Sequence, residues 1–127
     1  IQANEASAIS SIRAINTAQV AYASTYPTAG YADVLTKLGA DTSGVVDANH
    51  AALLDWILGC ASSTCSKSGY AFTILNVTKA GAQVTGYGVT GVPSSPGLSG
   101  IRGFCSDNMN PVRYNVDGTQ TCTMDLQ

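Results

Sequence analysis

The chain has 127 residues, and with 45% of them hydrophobic it can bury a real core in one domain. Charged residues make up only 11%, against roughly 25% in ordinary soluble domains, and the formal net charge is −2. The 6 Lys and Arg residues are scattered, which excludes a basic stripe along a phosphate backbone, and no apolar run approaches the ~18–20 residues of a membrane-spanning helix.

Residues 4 to about 25 read as a helix. Ile9, Ile12, Ile15, Ala18 or Gln19, and Tyr22 recur at helical spacing, alanine supports the propensity, and Ser7, Ser10, Arg13 and Thr17 form the polar side. Pro27 and Gly30 end it. Residues 31–38 read as a helical turn closed by Gly39 as a C-cap, and 40–46 as a loop. Asp47 is a good N-cap for a second helix, about 48–59, with Ala51, Leu54, Ile57 and Leu58 as its buried stripe and Leu53 and Trp56 beside it.

From Ser68 the period changes to two, because Tyr70, Phe72 and Ile74 alternate with Ala71, Thr73 and Leu75. Lys79-Ala80-Gly81 turns the chain into a second strand, Gln83 to Val89. Pro93 and Pro96 make 91–100 a loop. Ile101 to Cys105 reads as a third strand and 108–111 as a turn. Residues 112–116 and 119–124 read as a hairpin around Asp117-Gly118, a pair that supplies the positive φ of a two-residue turn. The expected fold is α+β: a long amphipathic N-terminal helix on a small antiparallel sheet, with a short second helix between them. One domain, 1–127, divides into a helical part (1–26), a connecting region (27–67) and a sheet with the C-terminal cysteines (68–127).

Four cysteines, Cys60, Cys65, Cys105 and Cys122, read as two disulfides with three possible connectivities. Proximity in the chain favours Cys60–Cys65 and Cys105–Cys122. Zinc is the rival reading, but C-x4-C with C-x16-C fits its ligand spacing poorly. Disulfides place the chain in an oxidising compartment.

Catalytic signals are missing. His50 reads as a surface residue, and no nucleophile elbow, zinc-protease or phosphate-loop motif occurs. Gly86-Tyr87-Gly88 reads as strand glycines, and Asn76-Val77-Thr78, a glycosylation sequon, as a strand end. Asp107, Asp117 and Asp125, with Asn108 and Asn110, suit calcium chemically but do not have the spacing of an EF-hand; turn formation is the simpler reading. The aromatic residues read as core.

Residues 4–19, Asn4-Glu5-Ala6-Ser7-Ala8-Ile9-Ser10-Ser11-Ile12-Arg13-Ala14-Ile15-Asn16-Thr17-Ala18-Gln19, resemble the segment after the membrane-anchoring stretch of bacterial type IV pilins and type II secretion pseudopilins. The likeness continues through Tyr22 to Tyr26, Gly30-Tyr31, and Lys67-Ser68-Gly69-Tyr70-Ala71-Phe72-Thr73. It then runs through Val92-Pro93, Pro96-Gly97, Gly100 to Phe104, Asp107 and Arg113-Tyr114-Asn115. It implies a head whose N-terminal anchor half-helix lies upstream of Ile1, with residues 1–26 as the C-terminal half of the pilin helix. It implies a non-enzymatic filament subunit without a cofactor, calcium aside. Its partners would be identical copies, the pilus assembly machinery and, through the anchor, the inner membrane; its location would be the cell surface. The assembly-helix face would be Ile9, Ile12, Ile15 and Tyr22. Glu5 does not correspond to the glutamate near the mature pilin N-terminus. A pseudopilin and a secreted module that binds glycans or surfaces are the alternatives.

Overall fold

The structure, a computed structural model, describes residues 2–41 and 43–125. Expectations touching Ile1, and Thr42 in the 40–46 loop, lie outside the described residues.

Helix α1 runs Gln2–Thr25. One face buries Ala8, Ile12, Ile15, Ala18 and Tyr22 together with the polar Glu5, Ser11, Asn16 and Gln19, while Ile9 is half-buried. A 3-10 turn, Leu35–Leu38, follows. Six strands then form one sheet: β1 (Thr64–Lys67), β2 (Tyr70–Ala80), β3 (Gln83–Pro93), β4 (Gly103–Asp107), β5 (Arg113–Asn115) and β6 (Met124–Asp125). They pair in chain order, each antiparallel to the next. Helix α1 lies against β2, β3 and β4. Between them sits the core, in which Ile12, Ile15, Tyr70, Phe72, Val89 and Phe104 are fully buried. The α+β arrangement of one long helix on an antiparallel sheet is therefore the observed one.

The expected second helix over 48–59 is not formed. Its backbone donors are taken by the 3-10 segment: Ala51 N–H donates to Lys37 O (2.9 Å), Ala52 to Gly39 O (3.0 Å), and Leu53 and Leu54 to Leu38 O (2.8 and 2.9 Å). Ala52 also adopts φ +55°, which no right-handed helix contains. Asp47 does cap, but it caps a turn, accepting from Asn49 and His50 N–H (2.9 and 3.0 Å). Of the expected stripe, Ala51 and Leu58 are buried, Leu54 is partly buried, and Ile57 is exposed. Gly39 ends the 3-10 turn in an extended conformation (φ −85°). Glycine is needed there for a different reason: a Cβ would stand 2.0 Å from Gly59 O, and one at Gly59 would stand 2.4 Å from Gly39 Cα.

Strand β1 is an addition to the expected sheet. Ser68 (φ +52°) and Gly69 (φ +79°) make a two-residue turn with both central residues left-handed, joining Lys67 to its partner Tyr70. The third strand of the sequence reading begins at Gly103 rather than Ile101, because the N–H groups of Ile101 and Arg102 are drawn to Glu5 on the helix. The Asp117-Gly118 hairpin is also revised. Gly118 does take φ +74°, but Arg113 pairs with Asp125 and Tyr114 with Met124, leaving 116–123 as a longer loop.

Candidate functional site

The seam between α1 and the sheet is the most organised polar feature. Glu5 is 8% exposed. Its carboxylate accepts from the backbone N–H of Arg102 (2.9 Å) and Ile101 (3.2 Å) and from Arg102 Nε (3.3 Å). Burial raises the Glu5 pKa, but the two backbone donors and the guanidinium together outweigh it and hold the carboxyl below its ordinary value. The Arg102 guanidinium also lies over Phe104 and Tyr114, 5.1 and 5.2 Å from the ring centroids. Tyr70 donates to Arg102 O (2.6 Å), and burial, with the Glu5 charge, pushes its hydroxyl up to about 12.

Further along α1, Asn16 donates to Ser106 Oγ (2.8 Å) and accepts from the Tyr87 hydroxyl (2.7 Å). Gln19 donates to Ala32 O and accepts from Ala32 N, both at 2.8 Å. The buried side chains of Glu5, Asn16 and Gln19 thus each meet a partner outside the helix, which fixes the axial position of α1 on the sheet. Sequence reasoning missed this role for Glu5 and Asn16. The usable signal was polar side chains recurring at the same helical spacing as the apolar stripe.

Both disulfides form, Cys60–Cys65 (Cα–Cα 5.8 Å) and Cys105–Cys122 (Cα–Cα 6.0 Å). The first ties the edge strand β1 to the preceding loop. The second ties β4 to the segment leading into β6, the opposite edge. Asn115 organises that C-terminal loop. Its Oδ1 accepts from Gly103, Asp117, Gly118 and Thr119 N–H, and its Nδ2 donates to Thr119 and Thr121 O.

The calcium candidates are not brought together. Asp107 and Asp125 both face Arg113, at 3.8 and 3.2 Å, while Asp117 accepts from Thr119 Oγ1 (3.0 Å). Among the described residues no group of three His, Cys, Asp or Glu side chains is placed to hold a metal ion. His50 stands 4.0 Å from Asp47 on the connecting loop. Asn76 is exposed at a bulge of β2, with φ +52°. On the outer sheet face an open concavity of about 450 Å³ is lined by Gly86, Gly88, Thr90, Asp107, Arg113 and Gln120, among others. Its charges are already paired and Gln120 donates to Thr90 (3.2 Å).

The expected assembly face divides. Ile12, Ile15 and Tyr22 are spent on the domain's own core, and Ile9 is half-buried. The exposed side of α1 is instead Ala3, Ala6, Ser10, Arg13, Ala14, Thr17 and Val20. No described helix is long and apolar enough to cross a membrane. Comparison with protein-family models, with curated proteins and with solved structures gives no match.

Proposed function

We propose that this chain is the head of a non-enzymatic filament subunit of the type IV pilin kind, displayed on the cell surface after assembly from the inner membrane. The observation that carries this reading is the exposed side of α1. It is built from small side chains, with Arg13 as its one charge, and small residues let neighbouring helices and heads approach closely. The opposite side of the same helix is locked to β2, β3 and β4, so the head is carried rigidly by the helix. The low charge of the whole chain supports dense packing, since an unpaired charge buried between copies is costly. The sequence resemblance to pilins supplies the filament, the assembly machinery and the membrane anchor. A pseudopilin of a secretion machine is the same architecture put to another use.

The experiment is to express the native gene, with whatever coding sequence precedes Ile1, in its own cell and label the surface with antibody to the head for electron microscopy. Labelled filaments that vanish on gene deletion support the reading. Label dispersed in the medium, with no filament, rejects it.

A further inference from the structure

Asn76-Val77-Thr78 is the chain's one asparagine sequon, and the filament reading makes no use of it. The sequence suggests a strand end there, but β2 runs on to Ala80. Pairing with β3 passes from Leu75–Gly88 to Thr78–Gly86, so Asn76 and Val77 together oppose Tyr87 and bulge from the ladder. Asn76 takes φ +52°, a left-handed conformation that asparagine tolerates, and it is exposed. Its carboxamide forms no hydrogen bond to another described residue. Thr78 is exposed as well, its hydroxyl 3.4 Å from that of Thr85. The fold thus presents both chemical groups of the motif at the surface, where the backbone has left the ladder.

The surroundings suit a sugar. Asn76 and Thr78 line the concavity of about 450 Å³ on the outer sheet face. Its two charged lining residues, Asp107 and Arg113, face each other at 3.8 Å, so the concavity carries no net charge. Asn108 and Gln120 add carboxamides, which both donate and accept, as sugar hydroxyls do. Both disulfides form, and asparagine-linked sugars, like disulfides, belong to exported chains.

We propose that Asn76 is the acceptor of an N-linked glycan. In the transfer, Asn76 Nδ2 forms a bond to the anomeric carbon of a sugar carried on a polyprenyl diphosphate. The bond from that carbon to the diphosphate oxygen breaks, the diphosphate leaves with the electron pair, and Nδ2 gives up one proton. Nothing is oxidised or reduced. The Thr78 hydroxyl is the second group that the transferring enzyme reads. The glycan stands on the outer sheet face, so it leaves the exposed side of α1 open, and the inference does not rest on the filament reading.

The test is peptide mass spectrometry of the native protein purified from its own cell. The peptide containing Asn76 should be heavier by whole sugar residues, and fragmentation should place them on Asn76. Thr78→Ser should keep the modification and Thr78→Ala should abolish it. Asn76→Asp keeps the tolerance for a left-handed backbone and removes Nδ2, so it should abolish the modification too. An unmodified Asn76 in the native protein overturns the inference. So does sugar that survives in both Asn76→Asp and Thr78→Ala, which places it on another residue. Should a variant fail to accumulate, the native peptide decides alone. The result is the same whether or not filaments are found, so the two readings fail separately.

Discussion

Glu5 and Arg102, 97 positions apart in the chain, meet through two contacts: the carboxylate accepts from both the backbone N–H and the side-chain Nε of Arg102. The first turn of α1 is thereby fastened to the segment entering β4. The carboxylate is nearly buried and its donors are fixed, so removing its charge leaves those donors under-satisfied. Glu5→Gln should destabilise the protein by about 1.5–3 kcal/mol at neutral pH, read from urea unfolding.

The pH dependence has a defined sign. The folded-state pKa of Glu5 is lowered, so its contribution is fully present above the unfolded value of about 4.3 and is lost as pH falls through the folded value. The deficit of Glu5→Gln should therefore shrink in acid. A deficit that stays constant down to acid pH would show that Glu5 acts through packing and not through charge.

The helix and the central strands were legible because their burial is periodic. Ile12, Ile15 and Tyr22 repeat along α1, and Tyr70, Phe72 and Ile74 alternate along β2, and each set is buried. The connecting region was not legible, because partners distant in the chain decide it. Ala51 to Leu54 have the composition of a helix, but residues 37–39 take their N–H groups, and nothing local announces that. Strand β1 was hidden by its shortness, although Ser68-Gly69 is a turn signal that could have placed it. Of the site, the cysteine pairs were readable from spacing. The seam was not, since Asn16 finds Tyr87 and Ser106 only after folding.

Asn115 replaces the regular hairpin that the sequence suggests after β5. Both ends of its amide are used, with four backbone donors on Oδ1 and two carbonyls on Nδ2. Asn115→Asp keeps the acceptor and loses the donor, while Asn115→Ala loses both. The alanine variant should cost about 2–3 kcal/mol and the aspartate variant less. Hydrogen exchange at Asp117, Gly118 and Thr119 should quicken in Asn115→Ala; unchanged protection there would show that the disulfide alone holds the loop.

The contact between Gly39 and Gly59 leaves no room for a methyl group on either residue. Gly59→Ala should destabilise by roughly 1–3 kcal/mol through overpacking of the 3-10 segment on the connecting loop. Gly97→Ala is the control, since its φ is +86° but nothing lies within 4 Å of the added Cβ. That variant carries only the left-handed backbone strain of about 1–2 kcal/mol. Thermal melts of the two should differ further in the connecting loop, where only Gly59→Ala should expose Leu58.

Intact mass before and after reduction and alkylation should show no free thiols first and four afterwards, matching the two bridges. The bridges close loops with separations of 5 and 17 residues, for which the loop-entropy relation gives about 2 and about 3 kcal/mol. Replacing Cys105 and Cys122 with serine should therefore lower stability more than replacing Cys60 and Cys65. The opposite order would mean that burial of Cys65, 1% exposed against β2, outweighs chain entropy.

Arg113 decides what the C-terminal carboxylates can do. It faces Asp107 and Asp125 at once, and its guanidinium occupies the charge that a calcium ion would otherwise supply. EGTA should accordingly leave the melting temperature of the wild-type protein unchanged. Arg113→Ala removes that cation and leaves Asp107 and Asp125 without it, so this variant should melt lower and recover part of the loss on adding calcium. If the wild-type protein itself melts lower in EGTA, calcium displaces Arg113 in solution, and the reading of Arg113 as the resident cation fails.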